Sequence, residues 1–298
     1  MGKSCLAVLT GAAIAGIAAA AGAEGSATLE RIAATSTIRV GQRVSSVPFS
    51  YYSDNGRIVG YSQDIVLRIV EAIRKELNLP SLTVARAPIT SQNWIPLLIN
   101  DSVDIECSST SHTRDREQKV AFSNTIFIIG TRILTHRDAG IADFGDLGGK
   151  RVVVTSGTTA ERSLHRYNEE HAAGMVIIAA KEHDRAFQEV EAGRAAAFVM
   201  DDALLYGERM KAARPGDWIV TGTPLALEAY GCTLRKDDVP FKAVVDRAIA
   251  DLMTSGEARA LYDKWFTQPI PPHGMNLDWP ISEALTALFA APNDRPIE

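Results

Sequence analysis

Cysteine is scarce in this chain, three in 298 residues, and one of the three, Cys5, falls within the first two dozen. So small a supply excludes a miniature scaffold stapled by disulfides. Cationic surplus is missing too: 31 Lys and Arg stand against 36 Asp and Glu, a formal net charge of −5. With no basic stripe along the chain, nothing predicts sequence-independent attraction to nucleic acid or to an anionic membrane surface. Any basic work must fall to a few placed arginines. Aromatic residues make up 7%, and internal repeats and low-complexity segments are absent. What is present is 46% hydrophobic residues with 22% charged. That is enough to bury one large core or two modest ones, which excludes a fibre or a disordered tail.

The first residues differ from the rest. Met1 to Ala23 carry one charge, Lys3, followed by an Ala- and Gly-rich apolar run ending in Ala21-Gly22-Ala23. That is the pattern of a secretory signal peptide, residues 1–23, cleaved before Glu24. A membrane anchor is the competing reading, although Ala and Gly have weak transfer energies. Cys5 precedes the apolar stretch, which is the wrong place for lipid attachment. Cleavage removes one lysine and no acid, leaving 30 bases against 36 acids, a net of −6. Cys107 and Cys232 then remain in a compartment where disulfides persist. Paired, they close a loop worth about 4 to 5 kcal/mol in the chain-entropy model; two buried free thiols are the alternative.

The periodicities predict two α/β units. Thr37 to Gly41 reads as a strand, Ser62 to Leu77 as a helix with Ile65, Ile69, Ile73 and Leu77 on one stripe, and Leu82 to Val84 as the next strand. A short helix over Asn93 to Ile99 and a strand over Val103 to Cys107 complete this βαβ pattern. The grammar restarts with a strand at Arg151 to Val154, a helix through Leu164, a strand at Met175 to Ile178, a helix over Asp184 to Glu191 and a buried strand at Ala195 to Met200. Two long, nearly uncharged runs, Ile126 to Leu134 and Glu228 to Leu234, bracket the second unit, as hinge strands between lobes would. Helices follow over Phe241 to Leu252 and Ala258 to Phe266, and a Pro-rich tail from Pro269 is expected to wrap the surface. The fold class expected is α/β, with two lobes joined by two hinge strands: lobe 1 from 24–131 and 227–298, lobe 2 from 132–226.

In open parallel sheets ligands sit beyond the carboxyl ends of strands, where free N–H groups and helix dipoles favour anions. Four such segments stand out: Gly41-Gln42-Arg43, Ser108 to Arg116, Thr155 to Thr159, and Asp201-Asp202. Arg43 and Arg116 offer planar forks for carboxylates, Ser109, Ser111, Thr158 and Thr159 offer hydroxyls, and Asp201 offers an anion. Together they suit a zwitterion with at least one carboxylate and one ammonium.

Ser45-Ser46-Val47-Pro48-Phe49-Ser50-Tyr51-Tyr52, Gly60-Tyr61-Ser62-Gln63-Asp64, Pro88 to Asn93, Ala121-Phe122-Ser123, Val154 to Thr159, Met200 to Leu205, Ala229-Tyr230-Gly231-Cys232 and the stretch from Asn276 onward supply longer motifs. In them the chain resembles the periplasmic glutamate/aspartate-binding proteins of ABC importers, of the solute-binding protein family of polar amino acid type. The resemblance runs from about Thr28 to the C-terminus. It implies a Venus-flytrap fold that closes on an amino acid and presents it to a permease in the inner membrane. A periplasmic monomer with no cofactor, no metal and no nucleic acid partner is the further expectation. By the same resemblance Arg116 takes the ligand α-carboxylate, helped by amides around Ser111 and Thr159, while Ser109 and Asp201 take the α-ammonium. Arg43, Ser91 and His183 face the side-chain carboxylate, and Thr158 and Thr159 line the second lobe. One position departs: where the family has an arginine after Gln-Asn, this chain has Trp94. Arg43 and His183 remain, and Arg114, standing where the family has an apolar residue, is a candidate replacement cation. A neutral ligand, glutamine or asparagine, is therefore the alternative.

Other readings compete for the same residues. Surface arginines are usually solvated. His183 could be a loop residue before an N-cap at Asp184, and of Asp201 and Asp202 one should cap a helix while the other binds. Trp94 could be core or pocket wall. Thr155 to Thr159 lacks the lysine and glycines of a phosphate loop, and His165, Glu169 and His171 match no metal spacing. An enzyme would need a general acid or base, for which His183 with a nearby carboxylate is the one candidate pair, as in a lyase or dehydratase. No nucleophile elbow, metal motif or cofactor fingerprint appears, so the expectation is a binder that is not an enzyme.

Overall fold

The computed structural model describes residues 25–272, 274 and 276–297; the signal-peptide segment 1–23 lies outside them. The first lobe begins with α1 (Ala27–Thr35), capped by the Ser26 side chain on the Leu29 amide, then β1 (Thr37–Gln42) and a small hairpin sheet of β2 (Ser45–Ser46), β3 (Ser50–Tyr52) and β4 (Ile58–Val59). Next come α2 (Tyr61–Glu76), β5 (Thr83–Pro88), α3 (Trp94–Ile99), β6 (Ile105–Glu106) and α4 (Arg114–Glu117). The 17-residue β7 (Val120–His136) crosses to the second lobe. There β8 (Arg151–Thr155), α5 (Thr159–Glu170), β9 (Val176–Ala180), α6 (His183–Glu191), β10 (Ala197–Asp201), α7 (Asp202–Lys211) and β11 (Trp218–Thr221) follow. The chain returns along β12 (Leu227–Arg235) and ends in α8 (Val239–Thr254), α9 (Glu257–Tyr262) and α10 (Glu283–Ala290).

The strands form one sheet in the order β5-β1-β6-β12-β7-β10-β8-β9, with β11 also on β7. Within each half the pairs β1/β5, β1/β6, β10/β8 and β8/β9 are parallel. The protein is thus a two-lobed α/β molecule whose halves share β7. That strand exchanges partners between Gly130, opposite Leu227 of β12, and Thr131, opposite Asp201 of β10. Cys107, just past β6, is bonded to Cys232 in β12, so the alternative of two free thiols does not hold.

Helix α2 buries Ile65, Ile69 and Ile73 as its stripe demands, against α8. Around it sits an aromatic cluster of Phe49, Tyr61, Phe127, Tyr230 and Phe266; the Phe49 ring lies 5.0 Å from Phe127 and 5.2 Å from Tyr230, both edge-on. Edge-to-face contacts of this kind fix ring orientation beyond simple area burial.

Several expected boundaries move. The strand expected over 103–107 narrows to Ile105–Glu106. The helix expected from 258 to 266 breaks at Asp263, where a single π turn runs to Thr267. The tail is not only a wrap: Ser282 caps α10, which buries Leu285, Leu288 and Phe289. The α6 N-cap is Glu182 rather than Asp184, so His183 opens the helix instead of preceding it.

Candidate ligand-binding site

The carboxyl ends of β1, β5 and β6 from one lobe and of β8, β9 and β10 from the other converge on one enclosed cavity. It is lined by Arg43, Ile89, Ser91, Trp94, Ser109, Thr110, Ser111, Arg116, Thr158, Thr159, His183, Met200 and Asp201. All ten residues expected at the site are there, together with Ile89, Thr110 and Met200. With about 20 Å³ open to a water-sized sphere, the closed cavity has room for roughly one or two waters. A wider, open groove of about 770 Å³ lies at the opposite ends of β8 and β10. Its arginines are spoken for: Arg194 pairs with Glu189, Arg214 with Asp217, and Arg151 donates to the Arg194 carbonyl.

Local capping sets the positions. Thr113 caps α4 on the Arg116 amide, and Thr158 caps α5 on the Glu161 amide after Gly157, whose φ of 80° suits glycine. Arg116 is 9% exposed; its Nη1 donates to the Ser111 carbonyl at 2.7 Å, and its guanidinium lies 5.3 Å from the Trp94 ring centre. Among the described residues it forms no ion pair. Burial, with Arg162 nearby, pushes its pKa down to about 10, which still leaves it charged at neutral pH. Trp94 is both core and wall: it is buried with Leu98, Val103 and Phe122 while its ring faces the cavity and Arg116. Arg114 is exposed on α4 and does not line the cavity, so it is no replacement cation there.

On the other side, Asp201 sits at the N-cap position of α7 but caps nothing. One carboxylate oxygen accepts from the Tyr230 hydroxyl; the other, Oδ1, is buried without a partner. Burial pushes this carboxyl well above the usual range, Glu228 adds to the effect, and the Tyr230 hydrogen bond opposes it. Asp202 is the residue that serves the helix start, accepting from the Ala203 amide at 2.8 Å.

Arg43 is 4% exposed, and its environment was not legible locally. Its Nη2 donates to Glu182 Oε2 at 2.7 Å, Nη1 donates to Ser91 Oγ, and Nε has no partner. The imidazole of His183 is 3.4 Å from Arg43 through Nε2 and 2.8 Å from Thr155 Oγ1 through Nδ1. A guanidinium only donates, so Nε2 must accept and Nδ1 carries the proton. Burial and the Arg43 charge hold the His183 pKa well below its usual value. The expected second cation is therefore a neutral ring that orients Arg43. The lobes also meet through Gln92 to Ser156 at 2.9 Å, Ser111 to Thr159 at 3.3 Å, and Thr159 to Glu228 at 2.7 Å. Glu182, Glu228 and Tyr230 are the polar neighbours that sequence reasoning did not assign.

Residues 38–268 match the model of the bacterial extracellular solute-binding proteins, family 3. The chain belongs to that family. Within it, the chain is 54% identical over 270 residues to the glutamate/aspartate import solute-binding protein of Salmonella typhimurium, covering 91% of this chain and 89% of the relative. It is 53% identical over 272 residues to the L-glutamate/L-aspartate-binding protein of Pseudomonas aeruginosa, covering 91% and 90%. The Escherichia coli glutamate/aspartate import solute-binding protein is 52% identical over 298 residues, covering 99% and 98%. These relatives are transport proteins, not enzymes. Among solved structures, a mutant of ArgBP from T. maritima superposes with a TM-score of 0.70 at 27% identity, covering 80% of this chain and 98% of that one. The ancestral amino acid-binding protein AncCDT-1, described as a precursor of cyclohexadienyl dehydratase, gives 0.69 at 28%, covering 80% and 100%.

Proposed function

We propose that this solute-binding protein captures glutamate or aspartate outside the cytoplasm and delivers it to the permease of an ABC importer. The observation that carries the reading is the pairing, in one cavity, of a buried guanidinium, Arg116, and a buried carboxylate oxygen, Asp201 Oδ1, that have respectively no ion pair and no hydrogen bond among the described residues. An α-amino acid brings the complementary carboxylate and ammonium, and a buried charge left unpaired is costly enough to make that complementarity selective. The names of the 52–54% identical relatives support the acidic amino acids. The ten lining residues named from the sequence are our ligand set, with Ser109 beside Asp201 for the ammonium and Arg43, Ser91 and His183 for the distal group. We place lobe 1 at 24–131 and 227–298, lobe 2 at 132–226, and cleavage of the signal peptide after Ala23, giving a monomer in the periplasm with no nucleic acid partner.

The mechanism is a population shift. Open lobes expose these polar groups to water; a ligand that satisfies both sets at once favours the closed form, which the permease reads. The cavity in its closed form admits no more than a water or two, so entry requires the lobes to part. A calorimetric panel of the twenty amino acids against ligand-stripped protein tests the reading. Heat and thermal stabilisation with glutamate or aspartate, and with no basic or aromatic amino acid, is the expected result; a preference for neutral ligands would overturn the specificity.

A further inference from the structure

Two guanidinium groups face the cavity, and they stand in different states. Among the described residues Arg116 has no carboxylate partner, so an anionic group entering the cavity can pair with it directly. Arg43 is already neutralised: Glu182, from the link between β9 and α6, reaches across the interlobe gap to its Nη2 at 2.7 Å, and Ser45 Oγ donates to the same carboxylate oxygen at 3.2 Å. Nε of Arg43 still has a free N–H, but a second anionic group reaching it would leave two carboxylates on one buried cation, an excess negative charge that is relieved if Glu182 leaves. The neutral His183 ring cannot supply the missing charge. The exchange is physically open, because the two partners differ in burial: the Glu182 side chain is 21% exposed, whereas that of Arg43 is 5% exposed. Glu182 can swing out and recover hydration, while Arg43 stays in place and needs a replacement anion.

We propose that Glu182 is an interlobe latch that holds Arg43 when the lobes are closed and is displaced by the distal carboxylate of an acidic ligand. With a neutral amide ligand the latch stays shut, so Glu182 sets the ratio between acids and amides. The latch itself rests on the Arg43, Ser45 and Glu182 geometry alone; the displacement half rests on the glutamate/aspartate reading above.

The test uses the Glu182→Gln chain, checked for folding by circular dichroism, in two arms. In the first, small-angle scattering is recorded on ligand-stripped wild type and variant. A larger radius of gyration for the variant is expected, and superimposable profiles would overturn the latch. In the second, calorimetry gives affinities for glutamate and glutamine. The glutamate-to-glutamine affinity ratio should rise about fivefold or more in the variant; an unchanged or lower ratio would overturn the displacement. Wild type that binds neither glutamate nor aspartate would count against the proposed function, and the scattering arm would still decide the latch. Should Glu182→Gln fail to fold, Ser45→Ala, which removes the second hold on the carboxylate, is expected to move both readouts in the same direction by a smaller amount.

Discussion

Arg116, the residue proposed to take the ligand carboxylate, is a charged side chain held in the interior at the expense of the fold. Lowering its pKa to about 10 by burial corresponds to about 3 kcal/mol against the charged form. Its carbonyl hydrogen bond to Ser111 and its position over Trp94 each return about 1 kcal/mol. The balance leaves the folded chain carrying a destabilising cation, of the kind functional sites retain. Replacing it with Met, of similar length and no charge, should therefore raise ligand-free stability in urea by about 1 kcal/mol while abolishing amino acid binding, a loss of at least about a hundredfold by calorimetry. A variant that is both unstable and binding-competent would show that Arg116 serves packing and not the ligand. At this scale the sequence was informative where chemistry is carried by residue type, as with two arginines, an aspartate and hydroxyls at strand ends. It was silent about Glu182, which is 139 residues from Arg43 and whose role depends on which segment of the other lobe it meets.

Among the elements, α7 and the Ser45 to Tyr52 hairpin decide how far the lobes can close. Gly207 in α7 lies against the Val47 carbonyl so tightly that a Cβ would stand 2.3 Å from Val47 O. Gly157, before α5, meets the Ser91 backbone similarly, with 3.0 Å left for a Cβ. A Cβ and a backbone carbonyl oxygen do not tolerate the first spacing, so one lobe would have to retreat. Gly207→Ala adds one methyl to a helix that otherwise welcomes alanine, so the open protein should fold normally. Closure, however, should be blocked, with affinity reduced at least about tenfold and the scattering profile staying open at saturating ligand. Full affinity in this variant would mean that the contact is dispensable. The parallel strands and amphipathic helices were legible because their periodicity is local. β7 was not read to its full length: the run expected over 126–134 extends to Val120–His136 because β12, β10 and β11 supply partners from later in the chain, which hold polar Thr125 opposite Gly231 and carry Ser123 and Asn124 within the strand at a register irregularity. The π turn at Asp263–Thr267 is likewise a tertiary effect, since Trp265 and Phe266 are turned into the core there.

For the molecule as a whole, an acidic balance of 31 bases to 36 acids offers an anionic solute no long-range attraction, so the proposed capture rests on the cavity and on a framework stiff enough to align it. The Cys107–Cys232 bond ties the outgoing segment of the first lobe to the returning β12, across a sequence separation of 125 residues that contains the entire second lobe. Closing a loop of that length removes about 5 kcal/mol of chain entropy from the unfolded state in the entropic model. For a chain of this size a loss of that magnitude corresponds to a fall in melting temperature on the order of 10 °C. The bond joins two segments of one lobe and crosses no interlobe contact, so opening and closing should proceed without it. The Cys107→Ser/Cys232→Ser double variant is therefore expected to melt roughly 10 °C lower than wild type under oxidising conditions, to match reduced wild type, and to keep its amino acid affinity within about threefold at 20 °C. A large affinity loss at a temperature where the variant is fully folded would mean that the bond shapes the adjoining Ser108 to Ser111 loop, which lines the cavity, and is part of the binding site as well as of the framework.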